Sequence, residues 1–238
     1  MLYLRLISVT LAVLLLSGCL YPQNERRENQ VPNEAQLQSV QTAVEQYQEN
    51  RSVLPIKTRE ADTPIFRKYP IEFAQLVPGF LESAPGNSFE NGGTYQYVLT
   101  NVEEEPLVKL IDLRITQTIQ DLERRLYSYR GDHEFAPVEE VVGYELLKLD
   151  FEALKYEEEP TVDSPFHPTH RLPLFMKTDG SIVIDYSLDI QYYLEEYGWG
   201  EFSEGDDLRW LLVEHAPFVP AYSAPQTVEN GEVIFIEN

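Results

Sequence analysis

The chain has 238 residues, with 18 Lys plus Arg against 40 Asp plus Glu and a formal net charge of −22 at pH 7. A balance this acidic excludes binding to nucleic acid or to anionic lipid headgroups through a basic surface. With 43% hydrophobic residues, 15 Tyr and 11 Phe, the chain can fill a packed core, and its single cysteine leaves no internal disulfide.

Taken from its start, the chain opens with Met1 to Arg5, which carries one positive side chain. Leu6 to Leu16 follows as an apolar run interrupted only by Ser8 and Thr10. That run is too short to span a bilayer, which takes roughly 20 apolar residues, and it has the length of a secretory h-region. Ser17 and Gly18, both small, stand directly before Cys19. Leu-Ser-Gly-Cys resembles the bacterial lipobox. The resemblance implies that residues 1–18 are a signal peptide removed by a dedicated peptidase and that the Cys19 sulfur carries a diacylglyceryl group. A single acyl chain binds a membrane marginally and two hold it stably. The implied site is therefore a lipid bilayer contact through Cys19, on the extracytoplasmic face of a Gram-positive cell membrane.

Residues 19–34 are polar, with two prolines and no apolar period, and read as a tether. Such a segment reaches about 50 Å fully extended and about 20–25 Å as a coil. Leu37, Val40, Val44 and Tyr47 recur at helical spacing, which predicts a helix over 35–50 that ends before Leu54-Pro55. Ile71 to Leu76 reads as a short helix or turn. Asn91-Gly92-Gly93 is a turn signal before TYQYVLTNV, a strand. Leu107 to Ile115 reads as a strand or as the start of the next helix. Ile115, Ile119, Leu122, Leu126 and Tyr129 form a second helical stripe. Gly143 to Tyr156 does not settle its period. Asp179-Gly180 between two apolar runs predicts a hairpin. Leu188 to Gly198 reads as a helix closed by glycine, Asp207 to His215 as a helix or buried strand, and VENGEVIFIEN as a turn followed by a strand.

These elements predict an α+β fold in which helices pack on antiparallel sheet, with a first lobe over 35–106 and a second over 107–238 that carries an insertion. Two stretches look alike: VPGFLESAPGNSFENGGTYQYVL from Val77 and VPAYSAPQTVENGEVIFI from Val219. Either the two lobes arose by internal duplication or the likeness is shared turn chemistry. A helix, then a step to proline, then loops and strands, is similar to the lobes of pilin-like proteins. LYPQN after Cys19, the LPIKT stretch and the VPAYSAP–ENGE ending resemble a group of Bacillus-type, YphF-like lipoproteins. That resemblance implies a location and supplies no activity or site residue.

Asp163, His167 and His170 in DSPFHPTHR are metal-ligating residue types. Pro168 keeps them off a regular helix, and an incidental loop is the alternative. Tyr197, Trp199 and Phe202 in YGWGEF set aromatics among glycines, either as a binding platform or as a helix end whose rings fill the core. Glu204 to Asp207 offers oxygen ligands without the alternation of an EF-hand loop. No nucleophile elbow or glycine-rich phosphate loop occurs, and no cofactor is implied. The sequence thus reads as a non-enzymatic, membrane-anchored lipoprotein that binds another envelope protein or a wall partner. The alternatives are an envelope hydrolase using Asp163, His167 and His170, and a small ligand-binding receptor.

Overall fold

The computed structural model describes residues 33–199 and 202–236. Cys19, the signal segment 1–18 and the tether up to 32 lie outside the described residues. The first helix, α1 (Asn33–Arg51), carries the expected stripe. Val40, Ala43, Val44 and Tyr47 are buried along it. Ser52 closes the helix at φ 59, with its N–H donating to the Gln48 carbonyl. After a short helix, α2 (Phe73–Leu76), the chain forms a hairpin of β1 (Tyr95–Thr100) and β2 (Leu107–Asp112).

The hairpin register runs from Tyr95↔Asp112 to Thr100↔Leu107. Alternation along a strand then sorts its side chains onto two faces. Tyr97, Leu99, Val108 and Leu110 pack with α1 in a first hydrophobic cluster. Val98 and Ile111 belong to the second and larger cluster. The edges are occupied too. Ile71 N–H donates to the Tyr97 carbonyl and Leu99 N–H to the Tyr69 carbonyl along β1. On the far edge of β2, Leu110 N–H donates to Pro217 O at 2.9 Å, and Val219 N–H returns to Leu110 O at 3.0 Å. The expected lobe boundary at 106/107 falls within this hairpin, and the first cluster runs on to Leu110.

The remaining elements are α3 (Ile115–Asp132), β3 (Val138–Gly143), β4 (Leu146–Leu149), β5 (Thr161–Asp163), β6 (Arg171–Lys177), β7 (Ile182–Ile184), α4 (Ser187–Tyr197), α5 (Arg209–His215), β8 (Gln226–Glu229) and β9 (Glu232–Phe235). All the named strand pairs are antiparallel, with β3-β4-β6-β5 in spatial order and β7 on β6. The fold is therefore α+β. Leu172, Leu174 and Met176 point from β6 into the large cluster with Ile119, Leu122 and Leu126 of α3. Phe175 points the other way and meets Phe235 of β9 at 6.0 Å. There β3 approaches closely: a Cβ on Gly143 would lie 3.3 Å from the Phe235 ring.

Two helices start from the same three residues, Asp-Leu-Arg. Asp112 Oδ1 accepts the Arg114 backbone N–H at 2.9 Å, and Asp207 Oδ1 accepts that of Arg209 at 3.1 Å. In each case the arginine folds back to grip the same carboxylate. The carboxylate thus satisfies an orphan N–H and places negative charge at the positive end of α3 or α5. This explains why Leu107 to Ile115 divides into strand and helix at Asp112.

The two stretches that look alike in sequence differ in structure. Asn91 ends a 3-10 turn (Phe89–Asn91) closed by Gly92 at φ 78. Asn230 and Gly231, at φ 52 and 83, instead form the two-residue turn of the β8–β9 hairpin. Asn-Gly supplies left-handed backbone in both places, so the structure gives the duplication no support.

One side chain stitches β2 to the end of α5. Lys109 Nζ donates to the carbonyls of Val213 and Ala216, the latter at 2.8 Å. These carbonyls are orphans of a helix C-terminus, where a cation is favoured. Burial lowers the Lys109 pKa below its ordinary 10.5, and Glu214 opposes that shift. The unfolded chain therefore keeps this proton to higher pH than the folded chain. The part of stability linked to this shift is full above 10.5 and is lost as pH falls through the lowered value, while the hydrogen bonds themselves persist in the charged state. Lys109→Met is expected to cost about 1.5–3 kcal/mol in urea unfolding. Wild-type stability should rise relative to the variant as pH climbs through that window, and a gap that narrows on the way up contradicts this assignment.

Candidate functional site

The loop between β5 and β6 brings together some of the expected site residues and separates others. Ser164 Oγ accepts the backbone N–H groups of Phe166 and His167 at 2.9 and 3.0 Å, which curls the loop back on itself. The same hydroxyl donates to Asp189 Oδ2 at 2.7 Å. His170 Nδ1 lies 2.6 Å from the other carboxylate oxygen. Asp189 sits in the first turn of α4 with no exposed surface. Burial raises its pKa above the ordinary 3.8, while the Ser164 hydroxyl and His170 pull it back.

This arrangement orients the His170 ring with Nδ1 toward Asp189. His167 stacks on it at 3.8 Å, and Tyr192 meets His167 edge-on at 4.8 Å. Asp163 is elsewhere engaged. It pairs with Arg171 at 3.0 Å in an exposed ion pair, across the β5–β6 register. The metal triad expected of Asp163, His167 and His170 is therefore not assembled. Among the described residues no group of three His, Cys, Asp or Glu stands close enough to hold a metal ion. The serine, histidine and aspartate also differ from a hydrolase triad. Both Ser164 and His170 bond the carboxylate, whereas a nucleophile would bond the histidine. What this network does is pin the 164–170 loop onto α4.

The aromatic residues after α4 do not share a platform. Tyr197 stacks on His215 at 3.7 Å, with the rings 5° from parallel. Phe202 turns inward against the large cluster, and Trp199 is exposed. Of the acidic run at 204–207, Asp206 accepts the Ser203 N–H and Asp207 holds Arg209.

Among the described residues, one surface that remains open is the edge strand β3. It is terminal in the strand order and pairs with β4 alone among the described strands. Val138 lies opposite Leu149 and Val141 opposite Leu147. Paired residues share a face, so both valines look toward the large cluster, yet they stand beyond its cover. Val141 is 72% exposed and Phe135, just before the strand, 74%. Beside this edge lies a concavity of about 730 Å³ lined by Glu139, Asp150, Glu152, Glu157, Glu158 and Glu159 with Phe151 and Tyr156. Lys148 reaches two of these carboxylates, Glu139 at 3.1 Å and Glu159 at 3.0 Å. Sequence reasoning missed the site because VEEVVG lacks the strict alternation of a half-buried strand. The available signal was Val138, Val141 and Val142, β-branched residues flanking two glutamates directly after Pro137.

Residues 33–112 match the YphF family N-terminal domain. The matched segment runs from the start of α1 to the end of β2, so this part of the chain is similar to that domain. No curated protein and no solved structure matches the chain.

Removing His170 takes a partner from a fully buried carboxylate, whereas the His167 ring stacks on that of His170 and bonds only the exposed Thr169 beside it. His170→Ala is expected to cost about 1–3 kcal/mol in chemical denaturation, and His167→Ala less than about 0.5 kcal/mol. Equal losses in the two variants contradict the pinning role.

Proposed function

We propose that this chain is a lipid-anchored extracytoplasmic protein that binds another component of the cell envelope through the outer edge of β3. The observation that carries the reading is the open strand edge flanked by Phe135, Val138 and Val141. A strand edge presents unpaired backbone donors and acceptors, and proteins ordinarily shorten or cover it. Here it is six residues long and bears exposed apolar side chains. Exposed apolar surface next to a filled core is characteristic of a docking face for a protein partner.

The anchor is supported by sequence: a short apolar run, two small residues and Cys19, in that order. Two acyl chains on Cys19 hold the protein at the membrane. The α1 helix begins at Asn33, so the chain length between them keeps the folded body within about 50 Å of the bilayer. A partner reached from that distance is itself a membrane or wall-proximal protein. The likeness of residues 33–112 to a YphF domain supports the resemblance to YphF-like proteins read from LYPQN, LPIKT and the VPAYSAP–ENGE ending.

Two outcomes check the reading in cells. Cys19→Ala should move the protein from the membrane fraction to the soluble fraction, and an equally membrane-bound variant rejects the anchor. A photo-crosslinking residue at Val141 should trap one protein that the same residue at exposed Glu60 does not. Identical yields from the two positions reject β3 as the docking face.

A further inference from the structure

The partner's chemistry can be read from the charge around β3. We infer that the edge of β3 and the acidic concavity beside it take up an extended, lysine- or arginine-rich segment of a partner protein, added to the sheet as a further strand. This rests on the reading of β3 as the docking face and names what docks there.

Three observations converge on a basic strand. First, the edge is itself acidic: Glu139 and Glu140 stand on it, both exposed. A second copy of this chain would lay its own Glu139 and Glu140 along the same edge, and like charges on facing strands are destabilising. Such glutamates block self-pairing and favour a cationic partner.

Second, six of the eight residues lining the concavity are carboxylates and none is basic. Lys148, from β4, sets its ammonium between Glu139 and Glu159. The chain thus already shows one ammonium group held by two carboxylates of this surface. Glu152, Glu157 and Glu158 line the same concavity.

Third, the carboxylates are spread out. No three acidic or histidine side chains among the described residues are close enough to coordinate one metal ion. A single cation therefore does not satisfy the surface. Separate ammonium or guanidinium groups spaced along an extended chain do, because alternate side chains of a strand project to one side about 7 Å apart. Backbone hydrogen bonds to β3 then supply binding, apolar residues of the incoming strand cover Val138 and Val141, and its basic residues enter the concavity.

The test uses full-length purified protein and two synthetic nonapeptides, one alternating Lys with Val and one alternating Glu with Val. The Lys/Val peptide should bind, weaken steeply with added salt, and slow backbone hydrogen exchange across Val138–Gly143. The Glu/Val peptide should do neither. Replacing Glu157, Glu158 and Glu159 together by Gln should weaken Lys/Val binding about tenfold while the far-ultraviolet circular dichroism is unchanged. Binding that leaves exchange at Val138–Gly143 unaltered is loose polyelectrolyte attraction and overturns the inference, as does absence of binding. If Val141 crosslinks a partner in cells yet the Lys/Val peptide fails, the docking face stands and only the basic strand falls. Failure of both removes the docking face as well.

Discussion

The whole molecule depends on β2 being shared. Its six residues give one face to α1 and the other to the large cluster. One edge pairs with β1, and the other receives the backbone of 217–219. Lys109 then ties the strand to the last carbonyls of α5. Every direction in which a strand can interact is used, so the segment similar to a YphF domain and the rest of the chain cannot separate without exposing both cores. The hydrogen bonds across this seam are individually modest in net energy, but leaving buried donors and acceptors unmade is costly. Hence the seam acts as a constraint on geometry more than as a large store of energy.

Acidity shapes the fold in a second way. A chain with net charge −22 has few cations to pair with its carboxylates, and it also uses backbone N–H groups and hydroxyls. Asp112 and Asp207 add a backbone N–H to their arginine partner at the start of a helix, Asp185 accepts the Ser187 N–H and hydroxyl, and Asp179 does the same for Ser181. Asp189 is held by one hydroxyl and one imidazole. These local turns give carboxylates a structural role at the start of elements. Other acids collect on the surface, and beside β3 they line a concavity where Glu139 and Glu159 hold Lys148.

Much of this was legible in the residues. The stripes of α1 and α3, the strand at Tyr95, the hairpin at Asp179-Gly180 and the glycine that ends α4 all follow from spacing and turn chemistry. What sequence could not show was pairing at a distance. Asp163 looked like a partner for His167 because it lies four residues away, but strand register turns it to Arg171. The true partner of His170 is Asp189, nineteen positions further on and on another element. Leu107 to Ile115 reads as strand or as the start of a helix until Asp112 is seen to hold the Arg114 N–H just before α3. Of the two readings of the Val77 and Val219 stretches, shared turn chemistry is the one that fits, since Asn-Gly serves a 3-10 turn in one and a hairpin in the other.

The functional reading is a contrast between two strands: β2, paired with β1 on one edge and bonded through Val108 and Leu110 on the other, and β3, which pairs with β4 alone among the described strands. On the proposed reading, the open, acidic edge of β3 is where an anchored chain would hold a partner close to the membrane. Amide hydrogen exchange on the isolated, partner-free protein addresses that contrast most directly. The account predicts that Leu107–Asp112 exchanges only through global unfolding while alternate amides of Val138–Gly143 exchange orders of magnitude faster. Protection of β3 equal to that of β2 would mean that its edge is already occupied, and the account would then be wrong.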